Sequence, residues 1–311
     1  MIQKQTKNPH YSLFILLAVN FFMLSCQTAP KIPDAVFETS GFIPLEPGAF
    51  AYIFADVQNA KPILEYINLD ELNDANTKQM IDRTRSAVAA VYLPQDKRRF
   101  QLSAWGDYPS FRAKMALKIK REWKKSRSPA SGANFWYSAG RRLSLALNAG
   151  RAFVSAASED TPIDPFTAAP GTEVPEGFGN FRKGAILSFW LEDPGPMINK
   201  KLDEMGLPLQ LPADQMFVSL FPLMPPDASG GQFYQANIKI RFSSENQARS
   251  LVFLFAIAQN FIPSGPALDG SGALAAILFS NPPVQDGRDL IIQTNTLSGR
   301  EIALLFNIFS L

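Results

Sequence analysis

The sequence predicts an α+β fold: a tandem duplication of a split βαβ-type unit, β-α-β-β-α-β-β, with antiparallel sheets and helices packed on them. Three observations carry this expectation. Two apolar runs, 48–56 and 184–192, both open with Gly-Ala and close on an acid. The segments after each run switch between strand-like and helix-like periods in the same order. A Pro- and Gly-rich interval, 158–182, separates the two series as a linker. Repeats at 48–157 and 183–311 follow from these boundaries.

Each element has its own reason. Residues 49–55 are apolar at nearly every position, which suits a strand covered on both faces. Helices are expected over 61–69 and, in the second half, 197–205. Apolar strands follow at 86–93 and 216–223, ending near Pro94 and near Pro225 and Pro226. Further strands are expected at 99–105 and 232–242. Both lead into helices with a serine start, at Ser110 and at Ser243 and Ser244. Ser244 and Gln247 have the spacing of a capping box. Each half then closes with a short strand and a longer one, 134–138 with 142–155 and 276–280 with 289–296. Residues 300–311 form an expected last short helix.

Ahead of the repeats, Lys4 and Lys7 precede an apolar stretch over 11–23 that closes on Met23-Leu24-Ser25-Cys26. Positive flank, short apolar segment and small residues before the cut are the parts of a signal peptide, expected at 1–25. The stretch is shorter than the roughly 20 residues that span a bilayer. Met23 to Cys26 resembles the lipobox of bacterial lipoproteins, in the relaxed form similar to that of spirochaetal ones. The resemblance implies a thioether-linked diacylglycerol on Cys26, with an N-acyl chain, and Gln27 after it favours the outer membrane. Residues 26–47 carry Pro30, Pro33, Pro44 and Pro47 and read as an extended tether.

Cys26 is the only cysteine and His10 the only histidine, and His10 lies in the expected signal peptide. A mature chain without histidine or free thiol forms neither a Ser-His-Asp triad nor a Cys-His pair. Zinc and copper sites draw on the same residues. No catalytic residue, metal or cofactor is therefore expected. Carboxylates at strand ends, Asp56, Glu192 and Asp193, are what remains for acid–base chemistry.

The charge is uneven. Between Lys97 and Arg142 only Asp107 and Glu122 oppose a dense run of Lys and Arg, within a chain of formal charge +2. Such asymmetry orients a protein toward an anionic surface. The segment 110–127 concentrates it. Phe111, Met115, Ile119 and Trp123 recur every four residues among Lys114, Lys118, Lys120, Arg121, Lys124 and Lys125. A basic helix with a narrow apolar stripe suits a membrane interface. Its place in the repeat instead predicts that the stripe packs on the sheet. The corresponding segment 249–268 is uncharged from Ser250 and apolar at Leu251, Phe253, Leu254, Phe255 and Ile257. Such a helix is either core or buries a face in lipid. Residues 263–283 form a long Gly- and Pro-rich loop without phosphate-loop chemistry.

The anchor, the α+β body and these helices together resemble a treponemal family of concealed outer-membrane lipoproteins. The resemblance implies an α/β body whose amphipathic helices insert into bilayers. The expected protein is thus a non-enzymatic lipoprotein on the periplasmic face of the outer membrane, with membrane lipid as its partner. The alternative is a lipid-anchored binding or scaffold module for a periplasmic or outer-membrane protein or an apolar ligand. Nucleic acid is not expected as a partner outside the cytoplasm.

Overall fold

The computed structural model describes residues 45–66, 75–92, 99–129, 134–148, 153–158, 177–204, 210–223, 232–259 and 281–308, together with 132, 175, 277 and 278. Cys26 and nearly all of the tether and linker lie outside the described residues. The chain divides into two compact units. The described parts of 45–47 and 68–173 form one, and those of 48–67 and 174–311 form the other.

Unit 1 contains helices α2 (Ala75–Arg83) and α3 (Ser110–Ile119). Its strands are β2 (Thr84–Tyr92), β3 (Arg99–Gly106), β4 (Lys124–Arg127), β5 (Asn134–Ser138), β6 (Leu143–Asn148) and β7 (Phe153–Ser158). They lie in the order β2-β3-β7-β6-β5-β4, every neighbouring pair antiparallel. One sheet face carries a core of Ala104, Trp136, Leu145, Leu147, Val154 and Ala156, closed by Ala113 and Leu117 of α3 and by Trp123. At the start of β2, Thr84 Oγ1 donates to the Met80 carbonyl (2.7 Å) and lies 2.7 Å from the Tyr108 hydroxyl. Burial holds the Tyr108 phenol well above its ordinary pKa, partly offset by the Thr84 hydrogen bond. Gly106 sits where a Cβ would collide with the Arg83 carbonyl, the acceptor of the Asp107 amide (2.8 Å).

The entry of the chain into unit 1 is clamped. The Glu46 amide donates to Gln101 Oε1 (2.7 Å), and the Tyr92 hydroxyl donates to the Glu46 carbonyl (2.6 Å). The Glu46 carboxylate accepts from Gln101 Nε2 (3.1 Å) and pairs with Arg99 (3.2 Å). Gln101 is buried, so its amide has few alternatives to these bonds.

Unit 2 contains α1 (Val57–Tyr66), α4 (Phe178–Phe181), α5 (Gly195–Glu204), α6 (Glu245–Gln259) and α7 (Gly299–Ile308). Its strands β1 (Ala51–Asp56), β8 (Leu187–Glu192), β9 (Ala213–Leu223), β10 (Phe233–Phe242), β11 (Val284–Asp286) and β12 (Asp289–Gln293) lie in the order β11-β12-β10-β9-β8-β1. All pair antiparallel. Both faces of this sheet are covered, as expected for its apolar strands. One face packs Leu187, Leu220 and Tyr234 against Ile63 of α1 and Ile302 and Leu305 of α7. The other stacks Tyr52 on Trp190, with ring centroids 4.6 Å apart, and sets Phe178 against Phe217 at 5.4 Å.

The paired Gly-Ala starts have a backbone cause. Gly48 and Gly184 have φ of +83° and +82°, and a Cβ at either would meet open space. The left-handed turn, not crowding, selects glycine there. The capping box also forms. The Ser244 amide donates to Gln247 Oε1 (3.1 Å), and the Gln247 amide to Ser244 Oγ (3.4 Å).

Several expectations need correction. The first repeat does not keep 48–67, because β1 pairs with β8, Ala51 opposite Leu191 and Tyr52 opposite Trp190. The expected single strand over 142–155 is the hairpin β6–β7. Ser110 is the first helical residue, and Pro109 takes the cap position without a side-chain bond. Among the described residues of 276–280, 277 and 278 are helical rather than extended. The helices α2 and α4 and the strand β4 add to the expected elements.

Candidate functional site

The α3 helix begins at Ser110 and makes two faces. Ala113 and Leu117, four apart, are buried against the unit 1 core. Phe111, Met115 and Ile119 lie two residues away from that pair. At about 100° per residue that places them roughly opposite. They are 71%, 42% and 75% exposed, against 0% for Leu117. The expectation that this stripe packs on the sheet is therefore overturned. The small Ala113 lets the helix lie close to the sheet, and the bulky stripe points away.

The helix is also shorter than the basic segment. Lys120 turns to extended backbone, its amide still donating to Ala116 (3.2 Å), and the Trp123 amide donates to Lys120 (3.1 Å). This turn sends Trp123 into the core, so it is no surface anchor. The expected basic residues divide accordingly. Lys114 and Lys118 lie on α3, the first half-buried and the second exposed. Lys120 and Arg121 lie in the turn, where Glu122 pairs with Arg141 (3.0 Å). Lys124 and Lys125 lie on β4, whose four residues are all exposed. The sequence carried the charges but not this split, because a run of Lys and Arg has no period of its own.

In unit 2, α6 packs through Ala248 and Leu251, both buried. Phe253 and Leu254 are 67% and 41% exposed, and Phe255 is half-buried. The Ile257 side chain and residues 260–268 lie outside the described residues. This helix is thus core on one side and open on the other.

The carboxylates named from the sequence do local work. Asp56 accepts from the Asn59 amide (3.3 Å) and side chain (2.6 Å), capping α1. Glu192 accepts from Gln215 Nε2 (3.1 and 3.2 Å). Asp193 is exposed at φ +45°, its amide held by the Asp214 carbonyl. Among the described residues no three acidic, His or Cys side chains gather into a metal-holding group. Among the described residues the charged side chain in the buried set is Asp289, which takes Arg241 through both oxygens (2.8 and 3.0 Å) and Lys239 (2.8 Å). Burial alone would raise its pKa, but these hydrogen bonds and charges outweigh it and hold the carboxyl below its ordinary value. Arg182, over the Phe54 ring at 4.6 Å, is lowered by burial. No described helix is long and apolar enough to cross a membrane.

A family model described as the outer membrane-associated lipoprotein TP0453 matches residues 38–152. Solved structures of that protein share the fold. Crystal form III has a TM-score of 0.55 at 16% identity, covering 83% of this chain and 94% of that one. Crystal form IV has 0.57 at 17%, covering 86% and 97%. Crystal form I has 0.54 at 17%, covering 84% and 94%. No curated protein matches the chain. The similarity to a treponemal outer-membrane lipoprotein group, read from the sequence, is thereby found again in the fold.

Proposed function

We propose that this chain is a non-enzymatic lipoprotein, acylated at Cys26 and held at the periplasmic face of the outer membrane, whose folded body also engages the bilayer. The observation that carries the reading is the exposed line of Phe111, Met115 and Ile119 on α3, opposite the buried Leu117. A large apolar side chain gains roughly 1.5–3 kcal/mol on full burial. Three on one face give a useful gross gain if the helix lies in the headgroup plane. Arg112 and Lys118 beside them are exposed, as an interfacial helix requires. The acyl chains on Cys26 would keep the body near the bilayer, and a contact from the body would add a second attachment that can form and release on its own.

The open side of α6 supports the same reading, since a sealed helix would have favoured the alternative of a binding module. The family description of an outer membrane-associated lipoprotein supports the location. The body would be a duplication. In each half a hairpin is followed by a helix, and the last strand of the half pairs beside the hairpin's second strand: β2-β3-β7-β6 in one, β9-β10-β12-β11 in the other. Residues 27–311 retain every described element and lack the acylated cysteine. Flotation with phosphatidylcholine and phosphatidylglycerol vesicles tests the reading. Binding that is lost in the Phe111→Ser, Met115→Ser, Ile119→Ser variant is expected. No flotation with either lipid, or flotation indifferent to the stripe, would sink it.

A further inference from the structure

The basic residues that do not belong to α3 form a second feature of unit 1. Among the described residues, strand β4 is the last strand of its sheet, paired on one side only, with β5. Its sequence is Lys124-Lys125-Ser126-Arg127, all exposed. Among the described residues no carboxylate pairs with Lys124, Lys125 or Arg127. Lysines on an open edge discourage strand addition by another copy of the same chain, whose edge would carry the same charge. They leave the edge suited to an anion.

The register sorts these cations by face. Lys125 lies opposite Trp136, and Trp136 belongs to the core beneath α3. Successive strand residues alternate, so Lys125 and Arg127 emerge on the α3 side of the sheet and Lys124 on the other. Arg127 is held in place. Its Nε donates to the Gly132 carbonyl at 2.7 Å, and the Gly132 amide donates to the Ser128 carbonyl at 2.9 Å. Gly132 has φ +70°, and a Cβ there would stand 3.4 Å from Arg127 Nη2. The turn thus fixes one nitrogen of the guanidinium and leaves its terminal nitrogens for a ligand.

We infer that Lys125 and Arg127 on β4 form a headgroup contact for anionic glycerophospholipid, beside the apolar stripe of α3. The inference rests on the membrane reading of that stripe and adds the lipid class. The geometry agrees with the depth of an interfacial helix. Such a helix buries its apolar face about 5–10 Å into the headgroup boundary. A helix is about 10 Å across. Phosphates then sit near the level of the helix axis, within reach of long side chains rising from the sheet on the same side. Two residues apart on a strand, Lys125 and Arg127 are separated by about 6–7 Å, enough to serve neighbouring phosphates. Guanidinium oxygen recognition is directional and bidentate, which a fixed Arg127 favours.

The test measures partitioning of residues 27–311 onto phosphatidylcholine vesicles with and without phosphatidylglycerol. The parent is expected to bind the anionic vesicles more tightly, with the gain falling as salt rises. Lys125→Gln with Arg127→Gln should reduce that gain by roughly tenfold or more, from about fivefold per basic residue at such a surface. Binding to phosphatidylcholine alone should be unchanged. Lys124→Gln, on the other face, should cost less than either. All three side chains are exposed, and a matching unfolding curve confirms that the variants fold. An equal effect of Lys124→Gln, or a preference for phosphatidylglycerol that the double variant leaves undiminished, overturns the inference and leaves the stripe reading standing. Absence of any anionic preference in the parent also overturns it, and leaves the edge to an acidic protein strand. Loss of phosphatidylcholine binding with the stripe intact would mean that β4 is not a headgroup contact alone, which equally contradicts the proposal. The stripe reading fails separately, through serine variants of Phe111 and Ile119 that bind phosphatidylcholine as the parent does.

Discussion

Leu117 and Ile119 stand two residues apart on α3, yet Leu117 is fully buried in the unit 1 core and Ile119 is 75% exposed. The two residues differ little in hydrophobicity, so substitution separates the roles of the two helix faces. Leu117→Ala should destabilise the fold by about 2–5 kcal/mol, the usual range for such a buried truncation. Ile119→Ser should change stability by less than about 0.5 kcal/mol, as exposed substitutions do. Urea unfolding reads both, and vesicle flotation should fall only for Ile119→Ser among folded proteins.

Gly106→Ala should be costly although glycine is ordinarily easy to replace. The new Cβ would meet the backbone carbonyl of Arg83, and backbone cannot rotate away as a side chain can. A loss of roughly 2 kcal/mol or more is expected. Gly184→Ala is costly for a different reason, the left-handed backbone at φ +82°, with open space around the added atom. A crystal structure of the two variants would show β3 displaced from Arg83 only in the first.

The ion cluster at Asp289 makes unit 2 sensitive to acid. Its folded pKa is depressed by Arg241 and Lys239 against the opposing effect of burial. Folding therefore favours the ionised carboxylate. That contribution is complete above the ordinary carboxylate range and is lost as pH falls through the lower folded value. Asp289→Asn should lose roughly 3 kcal/mol near neutral pH, because it removes the carboxylate that both enclosed cations bond. The difference between parent and variant in urea unfolding should shrink as pH is lowered.

The Glu46 clamp holds the segment just before Gly48. Gln101→Ala removes the acceptor of the Glu46 amide and the donor to its carboxylate. Leaving buried polar groups unmatched costs about 1–3 kcal/mol. Hydrogen exchange at the Glu46 amide should accelerate in this variant. Unchanged exchange would show that Tyr92 and Arg99 hold the segment without Gln101.

Part of this molecule is local and was readable residue by residue. The strands 99–105 and 134–138 follow from short apolar periods, and the box of Ser244 and Gln247 from cap spacing. The positive φ of Gly48 and Gly184 is the backbone reason for the glycine that opens each of the two apolar runs. Other features were misread because they depend on what lies across the sheet. Trp123 continues the four-residue period of Phe111, Met115 and Ile119, but the backbone leaves the helix at Lys120 and carries it into the core. The cations of 120–127 gave no sign that they lie on a turn and an edge strand, since exposed charge suits either.

The sequence by itself determined the α+β class, the strands with clear apolar periods and the apolar spacing of Phe111, Met115 and Ile119. These depend on period, caps and turns, whose physics spans only a few neighbouring residues. The tertiary structure alone decided that β1 pairs with β8, and that α3 buries Ala113 and Leu117 rather than Phe111, Met115 and Ile119. Both choices turn on contacts between distant segments. A helix with apolar residues on two sides has a preferred partner only once a sheet is present, and the side with the small residue allows the closer approach.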